Sequence, residues 1–232
     1  MRSRFSLSLP AICALAATAQ AAINQTNDIS HGTQAAYTAS STDLINDGQP
    51  SLLSESFSDF TVGFAPGIGP GDPSVLNNGL IGGVDDYTQV AFEESQTGYQ
   101  VDYILDTSTN IFGYEITEIQ TIIAWSHPSR VGQRITVLYS VVGDASYTSL
   151  GEFTLPRPTE TGSYSTRMTL TDSSGTIATN VDALRFMLGG LAGLGQMYRE
   201  IDVFGAAVPV PEPAAAGLLA IGLIGLRRRR RG

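Results

Sequence analysis

The chain has 232 residues, of which 42% are hydrophobic and 15% charged, with a formal net charge of −9. Beyond its ends that is about one domain, too short for a multidomain enzyme yet able to bury a core, and too apolar for wholesale disorder. All 13 basic residues are Arg, and the body between Ile23 and Val208 holds six of them against 21 acidic residues, which excludes a nucleic-acid binder needing a basic stripe to displace phosphate counterions.

The first 21 residues read as a secretory leader. Arg2 and Arg4 make a positive start, residues 7–17 a short apolar run, and Ala19-Gln20-Ala21 a small-x-small cleavage site. The run is too short to span a bilayer. Cys13, the sole cysteine, lies inside it, so cleavage leaves a chain with no thiol, disulfide or thiolate metal site.

From about Gln34 onward, short runs of β-branched and aromatic residues alternate with Gly, Pro, Asp and Ser. The clearest is 134–142, RITVLYSVV, where Ile135, Val137, Tyr139 and Val141 share one face, the period-two pattern of a half-buried strand. Segments 55–64, 87–93, 100–105, 118–125, 149–155, 163–171, 183–188 and 199–204 read similarly. About nine short strands at close spacing, with no long helical period, predict an all-β antiparallel jelly-roll β-sandwich. Segment 65–73, APGIGPGDP, and segment 189–195, GGLAGLG, read as loops. Neither has the strand before and helix after that a phosphate cradle requires.

Two places in the body carry ligand chemistry. The loop Trp125-Ser126-His127-Pro128-Ser129-Arg130 holds the only Trp. An indole can stack on the apolar face of a sugar, and a planar Arg can donate to its hydroxyls, so Trp125, His127 and Arg130 form a candidate glycan contact. The alternative is a core Trp125 beside a solvated Arg130. Adjacent acids at Asp85-Asp86 and Glu93-Glu94 point to opposite faces of any strand, so neither pair alone supplies an acid and a base. The chain has no Gly-x-Ser-x-Gly, no His-Glu-x-x-His and, after cleavage, no thiol. His31 and His127 leave a triad formally open, but nothing else in the sequence supports one. A non-catalytic protein is the expectation.

The C-terminus runs Pro211-Glu212-Pro213, then thirteen apolar residues 214–226, then Arg227, Arg228, Arg229, Arg230 and Arg231. As a helix the apolar run would span about 20 Å, short of the roughly 30 Å hydrocarbon core, with the arginines held on the cytoplasmic side. A transient membrane stop fits better than a lasting anchor.

This three-part tail resembles the PEP-CTERM sorting signal of Gram-negative bacteria. The resemblance implies recognition by exosortase, transient inner-membrane insertion, removal of the tail near Pro211-Glu212-Pro213, and export to the cell surface or extracellular matrix. The implied organisation is a signal peptide (1–21), a β-sandwich domain (22–208) and a sorting signal (209–232).

The body resembles galactose-binding-like domains of the discoidin and coagulation-factor type. Segment 181–205, VDALRFMLGG…YREIDVFG, is similar to their closing strand pair, 116–153 to their central strands, and DLINDGQPS (43–51) to their early loop. That resemblance implies binding of carbohydrate or extracellular polysaccharide, and a structural Ca²⁺ held by the early loop and a Glu of the last strand. Calcium takes six to eight oxygens. Asn46, Asp47 and Ser51 could supply some and Glu200 the closing carboxylate, provided the first and last parts of the body are neighbours. Otherwise Asp47-Gly48 is a turn and Glu200 a solvated strand residue. Two further function classes stay open: a matrix or coat protein whose acidic surface is bridged by divalent cations, and a polysaccharide hydrolase or lyase.

Overall fold

The computed structural model describes residues 22–58, 73–81, 88–90, 97–189, 191 and 195–210. The leader, all but the last residue of the 65–73 loop, Asp85-Asp86, Glu93-Glu94, most of the 189–195 loop, and the tail from Pro211 lie outside the described residues.

Ten strands are present among the described residues: β1 (Ile23–His31), β2 (Leu52–Ser58), β3 (Thr88–Val90), β4 (Thr97–Leu105), β5 (Tyr114–Trp125), β6 (Gln133–Val141), β7 (Thr148–Leu155), β8 (Tyr164–Asp172), β9 (Ala178–Gly189) and β10 (Gln196–Ala207). Every pairing is antiparallel. The pairings resolve into two five-stranded layers, β1-β8-β5-β10-β3 and β2-β4-β9-β6-β7. Among the described residues, strand pairing joins one layer to the other only at a short β5–β9 contact, Tyr114 with Val181 and Ile116 with Ala178. The fold is thus an all-β antiparallel sandwich of jelly-roll type.

Period-two alternation builds its interior. Ile119 and Ile123 of β5, Met168 and Leu170 of β8, and Ile201 and Val203 of β10 share one buried cluster with Val101 and Tyr103 of β4, Ile135 and Val137 of β6, and Leu184, Phe186 and Leu188 of β9. Tyr103 and Phe186, on neighbouring strands, meet edge to face at 6.0 Å, a geometry that adds to simple area burial.

β10 departs from the half-buried pattern, because every residue from Gln196 to Val203 is buried. Segments 40–46 and 73–81 lie along it. Leu44 N donates to Val203 O at 2.8 Å, Ser40 N to Asp202 Oδ1 at 3.1 Å, and Gly79 N to Glu200 Oε1 at 3.1 Å. The early segment and the last strand are therefore neighbours, as the calcium reading requires. Opposite β5, β10 passes so close that a Cβ on Gly205 would sit 2.0 Å from Glu115 O.

β1 carries no signal in the alternation of the sequence, since INQTNDISH is almost wholly polar. It forms because it is an edge strand with nine register partners on β8, and half of its side chains face water. Its Asp28 takes a two-pronged bond from Arg167, at 3.2 and 2.8 Å. Asn and Asp along such an edge also discourage pairing with a further chain.

Candidate functional site

Trp125, at the end of β5, has Tyr164 of β8 as its register partner, and Tyr164 in turn has His31 of β1. The three rings therefore line up across adjacent strands at one end of a layer. His31 is exposed and stacks on Tyr164 with centroids 4.7 Å apart, and its Nε2 lies 3.2 Å from Thr161 O. Tyr164 is buried, and its hydroxyl donates to Glu160 O.

Trp125 is half-buried and packs against the core. The Arg130 guanidinium stands 6.0 Å from its ring centroid. His127 is exposed and opens the single 3-10 turn Pro128–Arg130, where its Nδ1 accepts from Ser129 N at 3.2 Å. A Pro directly after that cap fixes φ and needs no N–H, so the turn is rigid. Trp125, His127 and Arg130 thus stand together on one short loop, and the indole is partly core as well as partly surface. Sequence reasoning left His31 in a polar stretch. Only the β1–β8 register brings it to the same end.

The loop-and-strand acids make a second site. Glu200 is fully buried; its Oε1 accepts from Gly79 N and its Oε2 has no hydrogen-bond partner. Asp202 and Asp43 share this pattern. Asp202 Oδ1 accepts from Ser40 N, Asp43 Oδ1 accepts from Ile45 N and Val203 N at 3.1 Å each, and the Oδ2 of each lacks a partner. Burial, reinforced by the charge of Asp43 on both and of Asp202 on Glu200, pushes Glu200 up to about 9 and Asp202 to about 7. Burial alone outweighs the backbone hydrogen bonds at Asp43 and lifts it to about 6. Tyr103, fully buried with an unpartnered hydroxyl, is raised by burial and by the fields of Glu55, Glu200 and Asp43.

The other candidate calcium residues lie in, or just after, the early segment that runs along β10. Asn46 is buried, its Nδ2 donates to Ser40 O at 3.2 Å, and that nitrogen stands 2.7 Å from where a Gly79 Cβ would be, so Asn46 and Glu200 flank Gly79. Asp47 is exposed, with its amide bonded to Asn77 O at 2.7 Å. Ser51 Oγ donates to Leu44 O at 2.7 Å within its own loop. Among the described residues no three His, Cys, Asp or Glu side chains converge to hold a metal ion. A cation at Glu200 would therefore depend on amide and backbone carbonyl oxygens as well. The orphaned Oε2 of Glu200 fits such an ion, since it is buried without a donor. Asp43 escaped the sequence reading of metal ligands, because nothing in DLIND marks an Asp that turns inward beneath a distant strand. Glu200 and Asp202, expected on the outer face of the last strand, are buried because segments 40–46 and 73–81 cover that face.

Among the described residues no helix is long and apolar enough to cross a membrane. Residues 209–231 match the model of the PEP-CTERM protein-sorting motif, which marks the chain as an exported protein sorted to the cell surface. No curated protein sequence matches the chain significantly. Of solved structures, the C-terminal domain of a chitobiase from Bacteroides fragilis is similar at 16% identity, over 68% of this chain and 94% of its own, with a TM-score of 0.38. An F5/8 type C domain from the same organism is similar at 8% identity, over 68% of this chain and 97% of its own, with a TM-score of 0.37. At those scores the likeness carries no argument about ligand or site. What the chain itself defines is a β-sandwich delivered to the surface by a C-terminal sorting motif.

Proposed function

We propose that this protein is an exosortase-processed surface or matrix component of a Gram-negative cell, exported by a leader ending at Ala21, whose sandwich is a non-catalytic carbohydrate-binding or adhesive module. The observation that carries the reading is the ring row Trp125–Tyr164–His31 beside the rigid His127–Arg130 turn. It offers an exposed stacking surface at His31 and planar donors within one loop, the chemistry by which polyhydroxylated rings are held. In this reading Tyr164 and the core fix the rings, and Arg130 and His127 supply polar contacts. The tail inserts in the inner membrane only until exosortase removes it.

Calcium is the proposed structural partner, with Glu200 and the oxygens of the Asn46 and Gly79 neighbourhood as its holders. When bound, the ion would supply a countercharge to Glu200. Binding to a panel of glycans and extracellular polysaccharides, with calcium and with chelator, tests both parts. Saturable binding to a few related sugars, weakened by His31→Ala and Trp125→Ala, supports the module.

A second reading is favoured by the body's excess of 21 acidic residues over six Arg: a matrix or coat protein cross-bridged by divalent cations, with no specific sugar. It predicts calcium-driven self-association without sugar selectivity.

A further inference from the structure

At the opposite end of the sandwich from Trp125, a cleft of about 720 Å³ opens between β6–β7 and the β8–β9 turn, with Ala22, Tyr139, Leu150, Asp172, Ser174 and Ile177 in its wall. Among the described residues, Asp172 is the only charged side chain in that wall. It is 9% exposed; Oδ1 accepts from Ser174 N at 2.7 Å, and Oδ2 is buried with no hydrogen-bond partner. Hydrogen bonds from the Ser174 hydroxyl and amide, with a smaller contribution from the Ala22 amide, hold this carboxyl below its usual range. It is therefore an ionised group with a spare buried oxygen.

Asp172 is the register partner of Ile23, the first residue of β1, and Ala22, the residue just before that strand, lines the same cleft. The sequence independently places leader cleavage after Ala21. Hydrolysis there breaks the Ala21–Ala22 C–N bond. The hydroxyl of water goes to the Ala21 carbonyl carbon, and the Ala22 nitrogen takes up protons to become an ammonium. One weak amide donor becomes a cation with three donors, at the same place.

We propose that the Asp172 carboxylate is a binding site for the chain's own α-ammonium group, released at Ala22 when the leader is removed. The pair anchors the residue just before edge strand β1 to the end of β8, so export and completion of the fold are coupled. The proposal rests on the leader reading given above and goes beyond it in naming the receptor. A primary ammonium is the class of ligand the wall fits: among the described residues it holds one anionic carboxylate, Ser and Thr side chains, and no cationic side chain to compete.

The chain contains no Lys, so this α-amine is the only primary amine of the mature protein. The exported protein is treated near neutral pH with an acetylating ester, and acetylation of the N-terminal peptide is followed by mass spectrometry, native, in urea, and in Asp172→Asn. A chain beginning at Ala22 is expected. Its native acylation should be about tenfold slower than in urea or in Asp172→Asn, because a one-unit rise above the ordinary α-amino pKa of roughly 7.7–8.0 is a tenfold loss of free amine. Asp144→Asn, in an exposed turn, serves as a control that leaves the rate unchanged. If Asp172→Asn fails to fold, the native-to-urea ratio of the unaltered protein decides. A first residue other than Ala22 overturns the leader reading and the proposal with it. A chain that begins at Ala22 with an equally reactive amine native and unfolded overturns the pairing alone.

Discussion

Gln133 of β6 donates from Nε2 to Thr166 Oγ1 of β8 at 3.1 Å, a hydrogen bond between the two layers through the interior. The same nitrogen reaches Thr121 O and Thr166 O at 3.3 Å each, Thr121 Oγ1 donates to Gln133 Oε1, and Thr166 Oγ1 donates to Val131 O. All three side chains are essentially inaccessible to water. The network sits two residues from Trp125 in the alternation of β5 (Thr121, Ile123, Trp125), so it fixes the spacing of the layers beneath the candidate ligand end.

Gln133→Leu should therefore destabilise the fold although it is more apolar. It strands Thr121 and Thr166 groups in the interior, at a cost of about 1–3 kcal/mol for an unsatisfied buried group. Chemical denaturation of the variant checks this, and a loss well under 1 kcal/mol would show that the network is slack.

The buried acids Asp43, Glu200 and Asp202 predict an unusual pH dependence. All three have folded pKa values above their ordinary ones. The native state thus binds more protons than the unfolded state between about pH 4 and pH 9. Stability without calcium is fully present below that window and falls as pH rises through it, by on the order of a few kcal/mol. Calcium should flatten the profile. Glu200→Gln should raise the melting temperature in chelator at pH 8 and abolish the calcium-induced increase. Melting curves that are flat with pH, or a calcium shift retained in the variant, contradict this account.

Gly205 faces the carbonyl of Glu115 where a Cβ would lie 2.0 Å away. The β10–β5 register shifts between Phe204 and Gly205. Gly205→Ala must push the two strands apart, so a loss of about 1–3 kcal/mol is expected by thermal denaturation.

The fold class was legible in the chain, and the reason is local. In RITVLYSVV the alternation is strict, and the structure pairs that segment on both sides, with Ile135 and Val137 buried as expected. Beyond them register shifts change the phase, so that Ser140 is buried while Tyr139 and Val141 are half-buried. β1 was not legible, because an edge strand of Asn, Gln, Thr and Asp is specified by its partner β8 and not by its own pattern. The extra length of β9 and β10 was hidden for a related reason: Thr179 and Asn180, like Gly205 and Ala206, have no strand signature away from their neighbours.

The candidate sites divide in the same way. Trp125, His127 and Arg130 are contiguous, so sequence could group them. His31 joins them only through register. Glu200 was visible as a strand carboxylate, but its burial depends on the 40–46 and 73–81 segments lying along β10, and such long-range coverage leaves no trace in local composition.

The tail gives a prediction independent of the body. Intact-mass analysis of protein recovered from the cell surface or medium should find a chain lacking Arg227, Arg228, Arg229, Arg230 and Arg231. Their presence on exported protein would remove exosortase processing from the account.

Binding of the exported protein to a panel of neutral and acidic glycans, compared with His31→Ala and Trp125→Ala, tests the central claim most directly. The account predicts saturable binding to a small set of related sugars, weakened about tenfold by either substitution, in line with about 0.5–1.5 kcal/mol for an aromatic contact. Absence of binding across the panel, or binding indifferent to both substitutions, would contradict it.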